Sequence, residues 1–330
     1  MEIKNKIGIF KYKQIISHIE NSIESGLLNK GDKLPSINKL KKDHGLSKDT
    51  ILMAFNDLKS RGIIYSVLKK GYYVSSENIN ISKRIFLLFD DLNAFKEDLY
   101  RSFLKSLNKK IQVDLFFHHF NRDLFEKYIK ECSGSYTHYV IMPSLFKNTN
   151  SVIKNLPAEK VYILDQMHDD LFQYSSVYQN FDKTIYSNLN KASYLIKKYK
   201  KLIMVFNNKP SLPKGLLTGF KRFCSDMNYN FSIIEALEHR GIEKGDLYII
   251  IDDENLLKIL KKIKKLNFIL AKDVGLVSYN DTILKEILEG GITTISTDFK
   301  KMGKALAKII FEKKKVIIEN PNDLIVRNSL

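Results

Sequence analysis

The chain has 330 residues, 44% hydrophobic and 28% charged, with a formal net charge of +17; these are the proportions of a soluble globular protein with room for two or three domains. Its two cysteines, Cys132 and Cys224, lie far apart in no metal-like spacing, which argues against a disulfide framework and a zinc site. No run approaches the roughly 18 apolar residues of a membrane span.

The basic excess is spread along the chain, and pairs such as Lys197-Lys198 read as solvated faces. Charge alone therefore agrees with nucleic-acid binding without establishing it. The opening stretch MEIKNKIGIFKYKQ has no apolar core segment, so no signal peptide and a cytoplasmic location are expected.

Residues 11–28 carry Ile15, Ile16, Ile19, Ile23 and Leu27 at helical spacing, an amphipathic helix. Pro35-Ser36 opens a second helix with Ser36 as cap, and Gly45 ends it. Ser47 caps a third helix, in which Ile51, Ala54, Phe55 and Leu58 form one apolar face. Lys48, Asp49 and Thr50 occupy its first turn, where a helix entering a major groove presents its contacts. Gly62 stops it. Ile63–Val67 and Tyr72–Val74 then read as a hairpin around Leu68-Lys69-Lys70-Gly71, a basic tip. The bland alternative is a small helical domain with a solvated basic face. The agreement of caps, apolar face and Gly-tipped hairpin in order and spacing favours DNA binding.

Residues 8–76 resemble the winged helix-turn-helix of the GntR family of bacterial transcription regulators. The resemblance rests on Tyr12-Lys13-Gln14-Ile15, Gly31-Asp32-Lys33-Leu34-Pro35-Ser36, Leu46-Ser47-Lys48-Asp49-Thr50-Ile51, Leu58 to Ile64 and Gly71-Tyr72-Tyr73-Val74. The chain departs from the family at Asn38, commonly Arg, and at Lys69, where many members carry a second wing-tip Gly. The resemblance implies contacts to a double-stranded operator from Ser36, Asn38, Lys39, Ser47, Lys48, Asp49, Thr50, Lys69, Lys70 and Gly71. The domain is read as 1–75 and the polar stretch 76–82 as a linker.

From Lys83 short apolar runs alternate with amphipathic helices. The expected strands are Arg84–Phe89, Val113–Phe117, Tyr139–Met142, Val161–Leu164, Leu202–Phe206, Phe231–Ile234, Leu247–Ile251 and Val274–Val277. Repeated β-α units with near-continuous apolar strands predict parallel sheets covered on both faces, in two lobes. Ligands in such sheets bind beyond the carboxyl ends of the strands. Asp90, Asp91, Asn93, Asp165, Asp252, Asp253, Asn280 and Asp281 all follow strands; Asp253 and Asp281 read equally well as helix caps.

Residues 81–330 resemble the LacI-type effector domain, related to periplasmic sugar-binding proteins. The match is carried by Asp273 to Asp281, Ile292 to Phe299, Met302-Gly303 and Asp323 to Ser329, and more weakly by Val177, Gln179 and Asn180. It implies an α/β architecture of periplasmic-binding-protein type I: a winged helix-turn-helix followed by a two-lobed effector domain over 83–330. Lobe 1 is expected at about 83–198 plus 293–312, and lobe 2 at about 199–292 plus 313–330. Asp90, Asn93, Asp165, Asp252 and Asn280 are the implied cleft residues. Leu216 stands where related sugar binders carry Arg, with Lys214 as a nearby substitute.

His118-His119 follows a strand, but adjacent residues point to opposite sides, so shared metal ligation is not expected. No nucleotide loop or nucleophile elbow is present. The reading is therefore a sugar-responsive repressor of a carbohydrate-utilisation operon, a homodimer taking a monosaccharide effector, with no cofactor, metal, catalytic residue or membrane. A ligand-binding module whose N-terminal domain contacts a protein partner, and a sugar-acting enzyme, are the alternatives.

Overall fold

The computed structural model describes residues 10–330 apart from 208, 210, 211 and 313. Most of the opening stretch, read for a signal peptide, lies outside the described residues.

Helix α1 (Lys11–Glu24) buries Ile15, Ile16, Ile19 and Ile23, and α2 (Ile37–His44) buries Leu40. Helix α3 (Lys48–Ser60) buries Ile51, Ala54, Phe55 and Leu58. These apolar faces close on one another, so three short helices, each marginal alone, share one core. The side chain of Ser36 accepts from the amide of Lys39, and that of Ser47 from Thr50, both at 3.1 Å. Gly45 ends α2 at φ 61°, in the left-handed region glycine enters without strain. Strands β1 (Ile64–Val67) and β2 (Gly71–Val74) pair antiparallel from Ile64↔Val74 to Val67↔Gly71. Residues 31–34 add a third edge: Leu34 donates to Tyr72 and Val74 donates to Asp32, each at 2.9 Å.

Beyond the linker come β3 (Lys83–Phe89), α4 (Ala94–Ser106), β4 (Ile111–Phe117), α5 (Arg122–Cys132), β5 (His138–Ile141), α6 (Thr149–Ile153), β6 (Val161–Asp165) and β7 (Ser175–Tyr178). The second lobe holds α7 (Phe181–Lys191), α8 (Ser193–Ile196), β8 (Lys201–Val205), α9 (Lys214–Asp226), β9 (Phe231–Ile234) and β10 (Asp246–Ile250). It continues with α10 (Asp253–Lys265), β11 (Gly275–Tyr279), α11 (Ile283–Ile287) and β12 (Thr293–Thr297). Helix α12 (Phe299–Ile309) and β13 (Ile317–Glu319) return to the first lobe, and β14 (Asn322–Ile325) to the second.

Each lobe is a six-stranded sheet, ordered β13-β7-β6-β5-β3-β4 and β14-β12-β11-β10-β8-β9. All pairings are parallel except β12 with β14. Alternate residues fill two cores per sheet: on β3, Ile85, Leu87 and Phe89 pack to one side and Phe86 and Leu88 to the other. One helix pair in each lobe approaches unusually closely through a glycine. A Cβ at Gly303 of α12 would overlap the carbonyl of Leu99 on α4, and one at Gly219 of α9 the carbonyl of Asp182 on α7.

The lobe boundaries differ from the expectation. The first crossing comes at Gln179-Asn180, not near residue 198, because the apolar face of α7 packs against α9 of the second lobe. Strand β12 pairs with β11 and so belongs to lobe 2, and the return to lobe 1 comes after it, at Asp298. Strand β13 pairs with β7 in lobe 1. The three crossings are bonded together: Asn320 donates from its amide to Tyr178 at 2.7 Å and from Nδ2 to Asp298 at 3.0 Å, and Asp298 donates to Pro321 at 3.2 Å.

Candidate functional site

The carboxyl ends of both sheets face a cleft of about 320 Å³ beside the crossings. Four expected residues line it: Asp90 after β3, Asn93 at the start of α4, Asp165 at the end of β6 and Asn280 after β11. Asp165 and Asn280 have φ of 74° and 58°. Asp and Asn tolerate this conformation better than other side chains, and it turns them out of the strand direction at the sheet edge. Asp90 is 2% exposed and accepts on Oδ1 from the Lys96 ammonium and, at 2.7 Å, from the amide of Asp91. Asp165 accepts from Gln179 Nε2 at 2.5 Å, and Gln179 Oε1 in turn accepts from the Thr297 hydroxyl. Burial, reinforced by the charge of Asp90, raises the Asp165 carboxyl; Lys96 and the Gln179 hydrogen bond oppose it.

Oδ1 of Asn280, at the cleft, has no hydrogen-bond partner among the described residues, and the hydroxyl of Tyr279, whose residue is 4% exposed, has the Thr297 side chain beside it. An unpaired buried polar atom is costly and uncommon, and one in a concave site points to a ligand that satisfies it. Phe95 stacks on Phe299 at 5.5 Å between ring centroids, and Phe120 and Phe181 line the same space.

Asp252 and Lys214 lie elsewhere. Both carboxylate oxygens of Asp252 are engaged by Asn255, from its amide at 2.9 Å and Nδ2 at 2.8 Å, so Asp252 is the α10 cap and the cleft wall is Ile251. Lys214 is exposed and borders a neighbouring depression with His168 and Phe172, while buried Leu216 faces the cleft. Asp253 and Asp281 are not caps: Asp253 pairs with the buried Lys285 at 2.9 Å, and Asp281 grips Arg327 at 2.6 and 2.8 Å. His118 is buried with Nε2 3.1 Å from the Met142 carbonyl, whereas His119 is exposed, 3.5 Å from Asp91. Asp91, Gln166 and Tyr279, which also follow the expected strands, line the cleft too, and Lys96 and Gln179 line it without having been expected there.

In the N-terminal domain Asn38, Lys39, Lys48, Lys69 and Lys70 are exposed, while Ser36 and Ser47 serve as caps. Asp49 is exposed as well, but with Met53 and Asn56 it borders a groove against lobe 1, lined opposite by Lys83, His138 and Phe311. It therefore looks inward, apart from Lys48. Lys69 takes φ 61° and Gly71 φ 116°, so the wing tip turns at the position where glycine is common in the family.

The family profile for bacterial regulatory proteins of the gntR family matches residues 11–74. The N-terminal domain is a GntR-family helix-turn-helix. The chain is 41% identical over 64 residues to the uncharacterized HTH-type transcriptional regulator YcxD of Bacillus subtilis, covering 19% of this chain and 14% of that protein. It is 32% identical over 80 residues to the mannosyl-D-glycerate transport/metabolism system repressor MngR of Escherichia coli, covering 24% and 33%. The chain thus spans a small part of these relatives' length. The two-lobed domain has the fold of LacI-type regulators. A LacI family transcriptional regulator from Silicibacter pomeroyi superposes with a TM-score of 0.63 at 15% identity, over 75% of this chain and 98% of that one. The trehalose repressor of Escherichia coli gives 0.62 at 12%, over 74% and 99%. No helix among the described residues is long and apolar enough to cross a membrane.

The GntR domain is fastened to the linker by side chains. Arg61, just after α3, pairs with Glu20 of α1 at 2.6 Å and donates to the carbonyls of Ile79 and Ile81 at 3.0 and 2.8 Å. Glu77 accepts from the amide of Lys30 at 3.0 Å. The polar composition of 76–82 gave no sign of this docking, because its main anchor, Arg61, lies outside it and grips backbone carbonyls.

Proposed function

We propose that the chain is a cytoplasmic transcription regulator that binds operator DNA as a homodimer and answers to a small hydroxyl-rich effector, a monosaccharide, held between its lobes. The observation that carries this is the joining, in one chain, of a GntR helix-turn-helix to a LacI-type fold whose cleft holds two buried carboxylates and an unpaired amide oxygen. Lys48 and Thr50 enter the major groove, and Lys69 and Lys70 reach the flanking backbone. Pairing through the effector domains is supported by α11, which leaves Ile283, Leu284 and Ile287 exposed on lobe 2, an apolar face suited to a second copy. The effector acts by closing the lobes, and shifts DNA affinity only by its differential affinity for the two lobe states. The cleft is assigned binding and no chemistry.

Fluorescence anisotropy tests this with a labelled duplex from upstream of the protein's own gene, against excess unrelated DNA, with and without pentoses and hexoses. Binding that survives competitor and shifts with one sugar supports the reading. Equal affinity for competitor overturns the operator assignment.

A further inference from the structure

Lys96 is the one cationic side chain among the described residues that line the cleft, and it is already committed. Its ammonium is held by Oδ1 of Asp90, with Lys96 8% and Asp90 2% exposed. The other ionisable groups facing the space are acids: Asp165 in the wall, and Asp91 towards the rim, with His119 3.5 Å away outside it. Among the described residues, nothing in the cleft offers a free positive charge.

An anionic ligand would lose its hydration on entry and meet carboxylates in return, a large penalty in a site of low dielectric. An uncharged polyol meets matched partners. Both hydrogen bonds that Asp90 accepts fall on Oδ1, and the one Asp165 accepts falls on its own Oδ1, so among the described residues each Oδ2 is left to a ligand hydroxyl. Asn280 Oδ1 adds a further acceptor. The rings of Phe95, Phe120, Phe181 and Phe299 suit the apolar faces of a sugar ring.

Building on the effector reading, we infer that this cleft admits uncharged sugars and excludes their phosphorylated and carboxylated forms, with Asp90 setting the distinction by neutralising Lys96. The selection works by what the site withholds: Asp90 converts the cleft's cation into half of an internal pair.

Isothermal titration of the full chain tests this, using pentoses, hexoses and disaccharides beside glucose 6-phosphate, ribose 5-phosphate, glucuronate and galacturonate. The expected result is one neutral sugar binding at least about a hundredfold tighter than its anionic counterpart. In Asp90→Asn the freed ammonium should narrow that ratio by about tenfold or more, the anion gaining as the neutral form weakens. Should that variant fail to melt cooperatively, the unsubstituted protein still decides: an anionic form binding as tightly as its neutral parent overturns the exclusion and leaves the effector reading standing. No binding by either class, with DNA binding intact, overturns the effector reading itself.

Discussion

Arg61 donates from Nε to the carbonyl of Ile81 at 2.8 Å, so the end of the recognition helix and the last turn before lobe 1 share one guanidinium. The same side chain holds Glu20 and the carbonyl of Ile79. Replacing Arg61 with Ala leaves a partly buried carboxylate and two carbonyls without their donor, at a cost of about 2–3 kcal/mol. The linker then becomes a loose tether. The expected outcome is an unchanged sugar affinity with a several-fold smaller effect of sugar on DNA affinity, read by anisotropy. An unaltered effect would show that the signal travels by another route.

Lys48→Ala should weaken operator binding more than binding to unrelated DNA, and removal of its charge should reduce the slope of log affinity against log salt by at most about 0.9. Sugar affinity should stay as it was. If operator affinity and salt slope both match the parent, α3 does not meet DNA through its first turn.

Asp165 carries a pH signature. Its carboxyl is raised in the folded protein by burial, above the ordinary 3.8. A raised acid binds its proton more tightly when folded, so its stabilisation is fully present below the ordinary value and is lost as pH climbs through the raised one. Asp165→Asn cannot titrate. Relative to this variant, the parent should therefore lose stability as pH rises through that window, seen as a narrowing or reversal of the difference in melting temperature. A difference that stays flat with pH would place the carboxyl in its ordinary range.

Gly303→Ala places a methyl group against the Leu99 carbonyl where α12 crosses α4. Backbone on both sides leaves little room to yield, so a loss of about 1–3 kcal/mol is expected in chemical denaturation. Gly219→Ala should act alike in the second lobe. A loss within error at both would mean that the helix pairs separate readily.

The helix-turn-helix was legible because local signals agreed: Ser36 and Ser47 cap, Gly45 turns, and the apolar positions of α3 repeat at helical spacing. Eight strands were legible as apolar runs. Strand β7, Ser-Ser-Val-Tyr, was not, since half of its side chains are hydroxyls of serine and only its partners β6 and β13 define it. Asp90 and Asp165 could be found by their place after a strand, but Asp252 has the same place and is a cap. The distinction lies three residues on, in Asn255, which engages both of its oxygens. Lys96 was hidden because an ammonium in an amphipathic helix ordinarily points to water; only the fold shows that α4 swings it over Asp90.

The three crossings between the lobes run side by side, with Asn320 bonded to both of its neighbours. A single connection would let one lobe roll, slide and tilt against the other. Three, laced together along a line, resist twisting and sliding more than opening about that line. On the proposed reading, an effector that fills the cleft therefore acts chiefly on the opening angle, and the linker held by Arg61 passes that change to the helix-turn-helix.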